Sequence, residues 1–458
     1  MSLTNLLELI DRIMWEKFLI FLLVLVGLIL TIRLRGMQFR YLPYALKLAF
    51  SRHDDDAQGD ISQFQSLMTA LAATIGIGSI AGMATAIMAG GFGSIFWMWV
   101  IALIGMVTKY SEAILAVKYR VKDHRGEMSG GPMYYIERGL GWKWLGVMFA
   151  AFGALSAFAG GNLTQSHSIA DAMHSLLNVP HYVSGIIFAA LSGVVILGGI
   201  KSLGKVNAIL VPSMALLYII GGLVVIVYHF DKIPESFAVI FKNAFTGQAA
   251  FGGFAGASVM AAVQLGVTRG ISSNEAGLGS APIAAAAAKT DVPGRQALIS
   301  MTGVFLASFI VCTITVLTIS LTGVLGLTDS LGNALNGAPL VMKAFSSVIP
   351  YGEWIVAVGL ICFGFSTILG WSYYGEKCIE YIFGESVLVS YRFIFIAIVF
   401  IGSMLTIDTV WYLVDIMNGL MAFPNLIGLI FLSPIVVRES RGFFKLLKEE
   451  KFSRSNNN

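Results

Sequence analysis

Apolar segments separated by short polar stretches run through the whole chain. Eleven can be delimited, at roughly residues 17–34, 66–90, 94–118, 145–175, 181–200, 206–229, 251–288, 296–323, 352–383, 391–408 and 411–437. About 20 apolar residues of helix cross the hydrocarbon of a bilayer. Lipid offers the backbone no hydrogen-bond partner, so a helix, which satisfies its own, is the expected form of each segment. Segments longer than 25 residues are expected to tilt, kink or end in the interface.

Two segments interrupt this pattern. The second reads SLMTALAATIGIGSIAGMATAIMAGG, and its centre, residues 73–82, holds Gly76, Gly78 and Gly82 with Thr74 and Ser79 between them. The seventh reads FGGFAGASVMAAVQLGVTRGISSNEAGLGSAPIAAAAA. Its centre carries Gln264, Gly266, Thr268, Arg269 and Gly270, followed by Ser272, Ser273, Asn274 and Glu275. Glycine costs a helix about 1 kcal/mol against alanine. Freed backbone groups at membrane depth are tolerated where they face protein or a wet cavity. Taken alone, Gly78 and Gly82, four apart, equally suit a small-residue packing face. The two interruptions, however, open two blocks of five segments, residues 66–229 and 251–437, with 17–34 as an extra N-terminal helix. Five is odd, so the second block inserts upside down relative to the first. Interrupted segments at matching places in inverted halves point to the binding site of a secondary transporter.

Charge placement sets the orientation. Of 30 Lys and Arg, 24 fall on one side of the alternating segments, five on the other (Arg12, Lys17, Lys232, Lys242, Lys343), and Arg269 alone lies well within a segment. Basic residues concentrate on the cytoplasmic side. The N-terminus is therefore expected outside, and the C-terminus, with the tail 438–458, inside the cell (inner) membrane. The acidic run Asp54, Asp55 and Asp56, after Arg52 and His53, reads as a solvated cytoplasmic linker.

Composition agrees. The 458 residues are 57% hydrophobic and 12% charged, with mean hydropathy +0.79, where soluble domains carry about a quarter charged residues. The net charge of +4 follows from basic cytoplasmic loops and does not call for nucleic acid. Cys312, Cys362 and Cys378 are scattered in apolar segments and read as packing residues. Residues 1–17 (MSLTNLLELIDRIMWEK) lack the pattern of a cleaved signal. No GxxxxGK[ST] loop supports a nucleotide-driven pump. Of the six histidines only His167 and His174 lie on one segment, too few for a haem held between two spans. No cofactor is expected, and the chain does not read as an enzyme.

The motifs resemble those of the alanine or glycine:cation symporter family, within the amino acid–polyamine–organocation superfamily. The stretches that carry the resemblance are TALAATIGIGSIAG (69–82), IFWMWVIALIGMVTKYSEAILAVKYR (95–120), SGGPMYYIERGLG (129–141), GVTRGISSNEAGLGSAP (266–282) and FSTILGWSYYGEKCIEY (365–381). The resemblance implies an all-α, leucine-transporter-like core of five plus five inverted spans. It also implies symport of a small neutral amino acid, such as alanine or glycine, with sodium or protons by alternating access. Carried over by position, the substrate would meet the backbone of Gly76, Ile77, Gly78 and Ser79, with Thr74, Gln165, Thr268, Ser272 and Trp371. A sodium ion would take carbonyls around Thr74 and Ile77 with the hydroxyls of Ser366 and Thr367; sodium is a hard ion suited to such oxygen ligands.

Departures from the family pattern fall near this site. GIGSIAG stands where GTGNIAG is usual, GNLTQSHS where GNMVQANS is usual, and Ser272 where an aromatic is usual. Exchanging an aromatic for serine is expected to enlarge and wet the pocket, which leaves a larger or more polar amino acid as the alternative substrate. A channel on the same scaffold is a more distant alternative. Asn162, Gln165 and Ser166 share one helical face, suited either to interhelical hydrogen bonds or to substrate. His167 points away from Gln165, as a proton-sensitive group or a satisfied polar residue. Arg269 is expected to pair with Glu275 or Glu112 in a gate at the inner mouth. Lys109 and Glu112, one turn apart, read as a local pair near the interface. Asp415 and Asn418, early in the last segment, suit either an outer gate or interfacial solvation.

Overall fold

The computed structural model describes residues 3–51, 57–246, 259–329, 332–405 and 410–456. Asp54–Asp56 with Arg52 and His53, the start of the seventh segment (251–258) and the end of the tenth (406–408) lie outside the described residues.

The described chain is helical apart from loops and one short hairpin, Val121–Lys122 paired with Met128–Ser129. Among the described residues, seven helices are long and apolar enough to cross a membrane. They are Gly93–Lys118, Lys143–Leu177, Gly199–Tyr228, Pro293–Thr322, Gly352–Phe383, Glu385–Met404 and Tyr412–Glu450. Two further helix pairs qualify only as bent units: Ile20–Arg33 with Met37–Ala49, at 84°, and Gln63–Thr74 with Gly78–Gly90, at 55°. His181–Ile196 is apolar but shorter.

The N-terminal helix differs from the expected span 17–34. Helix begins at Leu3, passes through a wider π-helical turn at Met14–Leu19 and runs on to Arg33. There Arg35 and Gly36 adopt positive φ, and the chain turns sharply into Met37–Ala49. Periodicity missed this second helix because it is amphipathic. Its buried residues Met37, Ala45, Leu48 and Ala49 alternate with exposed ones at helical spacing, a pattern too mixed to read as a span.

Both interruptions seen in the sequence are real breaks. The first falls at residues 75–77, where Ile75 leaves helical geometry (φ −83°, ψ 84°). Glycine is needed there for close approach: a Cβ on Gly76 would lie 2.9 Å from Thr367 Oγ1, and one on Gly370 2.9 Å from Ala73 Cβ. The helix Gly352–Phe383 can therefore cross the first break almost backbone to backbone. The second break follows Val259–Asn274. Glu275, Gly277 and Gly279 all take positive φ (54°, 89°, 84°), and the Asn274 side chain caps the Ala276 N–H at 2.9 Å. Helix resumes at Ala281–Ala286, with proline in its first turn, where a missing N–H does no harm.

Candidate functional site

The two breaks border one cavity of about 90 Å³. The first supplies Ala73, Thr74, Gly76, Ile77 and Gly78; the second supplies Arg269, Ser272, Glu275 and Leu278. Gly160, Thr164 and Gln165 come from Lys143–Leu177, Thr367 and Trp371 from Gly352–Phe383, and Val414, Asp415 and Asn418 from the last helix. Trp371 is 5% exposed and stacks edge-on against Tyr374. Its side chain occupies the space that Gly161 leaves free.

Three buried polar atoms on this wall have no hydrogen-bond partner: Gln165 Oε1, Arg269 Nε and Asn418 Oδ1. Buried polar groups are nearly always satisfied, so two acceptors and a donor facing one small cavity mark it as a polar ligand's place. Gln165 uses its amide nitrogen on Gly160 O (3.1 Å) and Thr164 Oγ1 (3.4 Å), which turns the oxygen inward. Asn162 and Ser166, on the same sequence face, bond elsewhere: Asn162 donates to Phe395 O at 2.7 Å, and Ser166 donates to Asn162 Oδ1. One face thus divides between packing and cavity.

Ser366 and Thr367 meet the first broken span, though not at the carbonyls of Thr74 and Ile77. Thr367 Oγ1 donates to Ala72 O at 3.0 Å and to Phe363 O at 2.8 Å; Ser366 Oγ lies 3.4 and 3.0 Å from the same two oxygens. The reason is register: Gly370 lies on Ala73, which puts the hydroxyls one turn earlier along their helix beside Ala72. Two hydroxyls and two carbonyls within hydrogen-bond distance form a compact set of oxygens of the kind a hard monovalent cation takes.

Two expected substrate contacts lie off the wall. Ser79 is wholly buried, its hydroxyl 3.0 Å from Ser273 Oγ and its carbonyl accepting from Thr315; Ser273 also meets Cys312 Sγ at 3.0 Å. Ser79 therefore ties the first broken span to the second and to Pro293–Thr322. Thr268 is half-buried but is not part of the cavity lining, because the face of Val259–Asn274 turned inward carries Arg269 and Ser272.

The charged residues regroup as well. Arg269 makes no ion pair within 4 Å among the described residues; its counter-charge is Asp415, on the same wall, not Glu275 or Glu112. Lys109 and Glu112 are not an interfacial pair: they are 2% and 0% exposed, and each binds the second break. Lys109 Nζ donates to Asn274 O at 2.8 Å, at the carbonyl end of the half-helix Val259–Asn274. Glu112 Oε1 accepts from Gly277 N–H (3.1 Å) and Asn425 Nδ2 (2.6 Å). A cation at free carbonyls and an anion at free amides complement the dipoles of the broken helix. Glu275 stands on the wall with Trp371 and Thr74 and accepts from Ser280 at 2.7 Å. His167, off the wall, bonds Asp171 at 3.0 Å, as does His181.

Sequence reading missed Asn425 and Arg120. Asn425 joins Glu112, Gly277 O and the Tyr135 hydroxyl. Arg120 gathers the carbonyls of Ala286, Ala288, Gln58 and Thr290 at 2.6–2.9 Å, fastening the C-terminal end of the second broken span. Its basic charge had marked it only as cytoplasmic. A second cluster on that side surrounds Lys377, fully buried, whose ammonium lies 2.8 Å from Glu380, 3.5 Å from Asp123 and 3.6 Å from Glu127. Arg392 binds Glu376 through two nitrogens at 2.7 Å each.

Paired helix breaks around a buried polar cavity define a secondary transporter of the leucine-transporter-like fold. Solved structures share that fold. MhsT in complex with L-phenylalanine superposes with TM-score 0.59 at 15% identity, over 84% of this chain and 93% of that one. A Na+-coupled sialic acid symporter superposes with TM-score 0.55 at 11% identity, over 87% and 86%. The sodium:alanine symporter family matches residues 1–457. The sodium/alanine symporter AgcS of Methanococcus maripaludis is 51% identical over 98% of this chain and 99% of its own length. The probable sodium/glutamine symporter GlnT of Bacillus subtilis is 36% identical over 96% and 91%. The chain belongs to the sodium:alanine symporter family. It is a multi-pass membrane transporter, not an enzyme, and the resemblance read from its motifs is borne out.

Proposed function

We propose that this chain imports a small neutral amino acid, alanine foremost, together with sodium across the cell membrane by alternating access. The observation that carries this reading is the convergence of Gln165 Oε1, Arg269 Nε and Asn418 Oδ1, all unpartnered, on a cavity bounded by both helix breaks. A zwitterion needs both acceptors and donors in a small space, and helix breaks supply free backbone groups of both kinds. The volume, about 90 Å³, lies far below the 300–1,000 Å³ usual for larger ligands. That favours a small side chain, although Ser272 replaces an aromatic. Thr74, Gly76, Ile77, Gly78, Gln165, Ser272 and Trp371 are the substrate's neighbours. Ser366 and Thr367, with the carbonyls of Ala72 and Phe363, hold the ion. Arg269 and Asp415 gate the cavity.

Eleven spans support this mechanism: the seven long helices, both bent pairs, His181–Ile196 and the broken Val259–Ala286 unit. They divide into an extra N-terminal helix and two inverted blocks of five, with the N-terminus outside and the C-terminus in the cytoplasm, as the 24-to-5 partition of basic residues supports. Arg269 and Asp415 then lie outward of the breaks, so the gate they form is an outer one. Uptake of labelled alanine into proteoliposomes under an imposed sodium gradient tests the proposal. Uptake that ignores the gradient, or that follows a pH gradient alone, overturns it.

A further inference from the structure

The charges around the two breaks do not cancel. Lys109 and Arg269 stand against Glu112, Glu275 and Asp415, two cations against three carboxylates. One oxygen of Glu112 is held by Gly277 N–H and Asn425, and Asp415 stands near Arg269. Lys109 spends a donor on Asn274 O. Glu275, 3% exposed and facing the cavity, accepts from Ser280 and has Lys109 as its nearby charge, with no cation within 4 Å among the described residues. Gln165 Oε1, 92% of that residue being buried, is a second acceptor on the same wall with nothing to receive.

A carboxyl group and an empty acceptor on the wall of one small cavity can together receive a cationic donor. We propose that Glu275, assisted by Gln165 Oε1, is the receptor for the substrate's α-ammonium group, which brings one positive charge and three N–H donors. The inference rests on the amino-acid symport proposed above and deepens it: the site takes acids bearing a free, protonated amine. The carboxyl end then faces the first break, where Gly76 and Gly78 leave the backbone uncovered. The backbone of Glu275 fits the assignment. A non-glycine residue held at φ 54° is strained, and such strain is kept where position matters; Glu275 shares the cavity wall with Trp371 and Thr74.

The test uses the whole protein in proteoliposomes under an inward sodium gradient. Glu275→Gln keeps size and one acceptor oxygen but removes the charge. Truncating one member of a buried charge pair weakens binding by a few kcal/mol, so the alanine KM is expected to rise roughly a hundredfold. The sodium activation constant and thermal midpoint should stay near wild type, and Glu275→Asp should recover part of the loss. An unchanged alanine KM overturns the proposal, as does a parallel shift of KM, sodium activation and thermal midpoint, which would make Glu275 a structural hinge. The wild-type protein gives an independent check: propionate, alanine without its amine, should fail to compete with alanine uptake. Equal competition refutes the assignment even if the variant does not fold. Wild-type protein without any sodium-driven uptake defeats the symport reading itself, a distinguishable failure.

Discussion

Thr367 Oγ1 lies 3.0 Å from the carbonyl oxygen of Ala72, in the last turn before the first helix break. That contact fastens Gly352–Phe383 to the turn of Gln63–Thr74 where helical geometry is about to fail. An ion bound between them would share its charge with both halves, so its arrival and departure would alter how firmly they are joined. Coupling needs such a differential interaction between states.

Removing Thr367 Oγ1 should therefore weaken ion dependence more than substrate recognition. Hydrogen-bonding groups that meet a charge contribute roughly 1.5–3 kcal/mol, and each 1.4 kcal/mol is tenfold in affinity. Thr367→Ala is expected to raise the sodium concentration for half-maximal uptake at least tenfold, and Ser366→Ala by less, since its contact with Ala72 is longer at 3.4 Å. Uptake measured across a sodium series decides the matter. Wild-type activation in the Thr367 variant would remove these residues from the ion site.

Lys109 and Glu112 predict a stability effect away from the cavity. Both are buried, and both bind the backbone of the second break. Replacing Lys109 by Met leaves Asn274 O without that donor and Glu112 and Glu275 without a neighbouring cation. Breaking a buried charge pair costs about 3–5 kcal/mol. The expected result is a clear fall in thermal midpoint in detergent, larger than that of Lys118→Met, whose pair with Glu439 is partly exposed. Equal midpoints for the two variants would show that Lys109 does not hold the break.

Asp60, in the loop before the first broken span, yields a pH prediction. Its carboxylate accepts from Met128 N–H at 2.8 Å. Burial nevertheless pushes its pKa above the ordinary value, with Glu127 and Asp123 pushing the same way and Met128 and Lys377 opposing. The native state thus favours the protonated form. The stability this contributes is complete below the unfolded pKa of about 3.9 and fades as pH rises through the higher native value. Asp60→Asn should flatten the decline of thermal midpoint with rising pH just above pH 4. Identical slopes for variant and wild type would mean that another group titrates there.

Much of this was legible in the residues. The apolar helices and the two breaks follow from patterns that act locally: apolar run length and glycine spacing. Gln165, Trp371 and Thr367 were found through their motifs, and each lies on the cavity wall. What failed was pairing across the fold. Sequence distance suggested Lys109 for Glu112, and Glu275 or Glu112 for Arg269, whereas Lys109 binds Asn274 O, Glu112 binds Gly277 N–H and Arg269 stands near Asp415, as set by how Gly93–Lys118 and the last helix pack against the second break. Ser79 failed for a rotational reason, since the turn after Gly78 swings it toward Ser273. Asn425 carried no local signal, being one polar residue in a long apolar helix.

The pairing of Arg269 with Asp415 makes a claim about access. Both line the cavity, on the second broken span and the last helix respectively, and Arg269 Nε has no hydrogen-bond partner, so the contact is electrostatic without being locked by a short bridge. A gate of this kind should be weakened by removing one charge while the cavity beyond it stays intact. In a background with Cys312, Cys362 and Cys378 replaced, Ser272→Cys places a thiol on the cavity wall. Asp415→Asn is expected to speed its modification by a membrane-impermeant reagent added outside by several-fold, because opposite charges near a protein surface attract with energies of a few kcal/mol. Saturating sodium and alanine should slow modification in the parent far more than in the Asp415 variant. If both proteins react at the same rate from outside, with and without substrate, the two residues do not govern entry. The slow step of closure must then lie in the helices themselves.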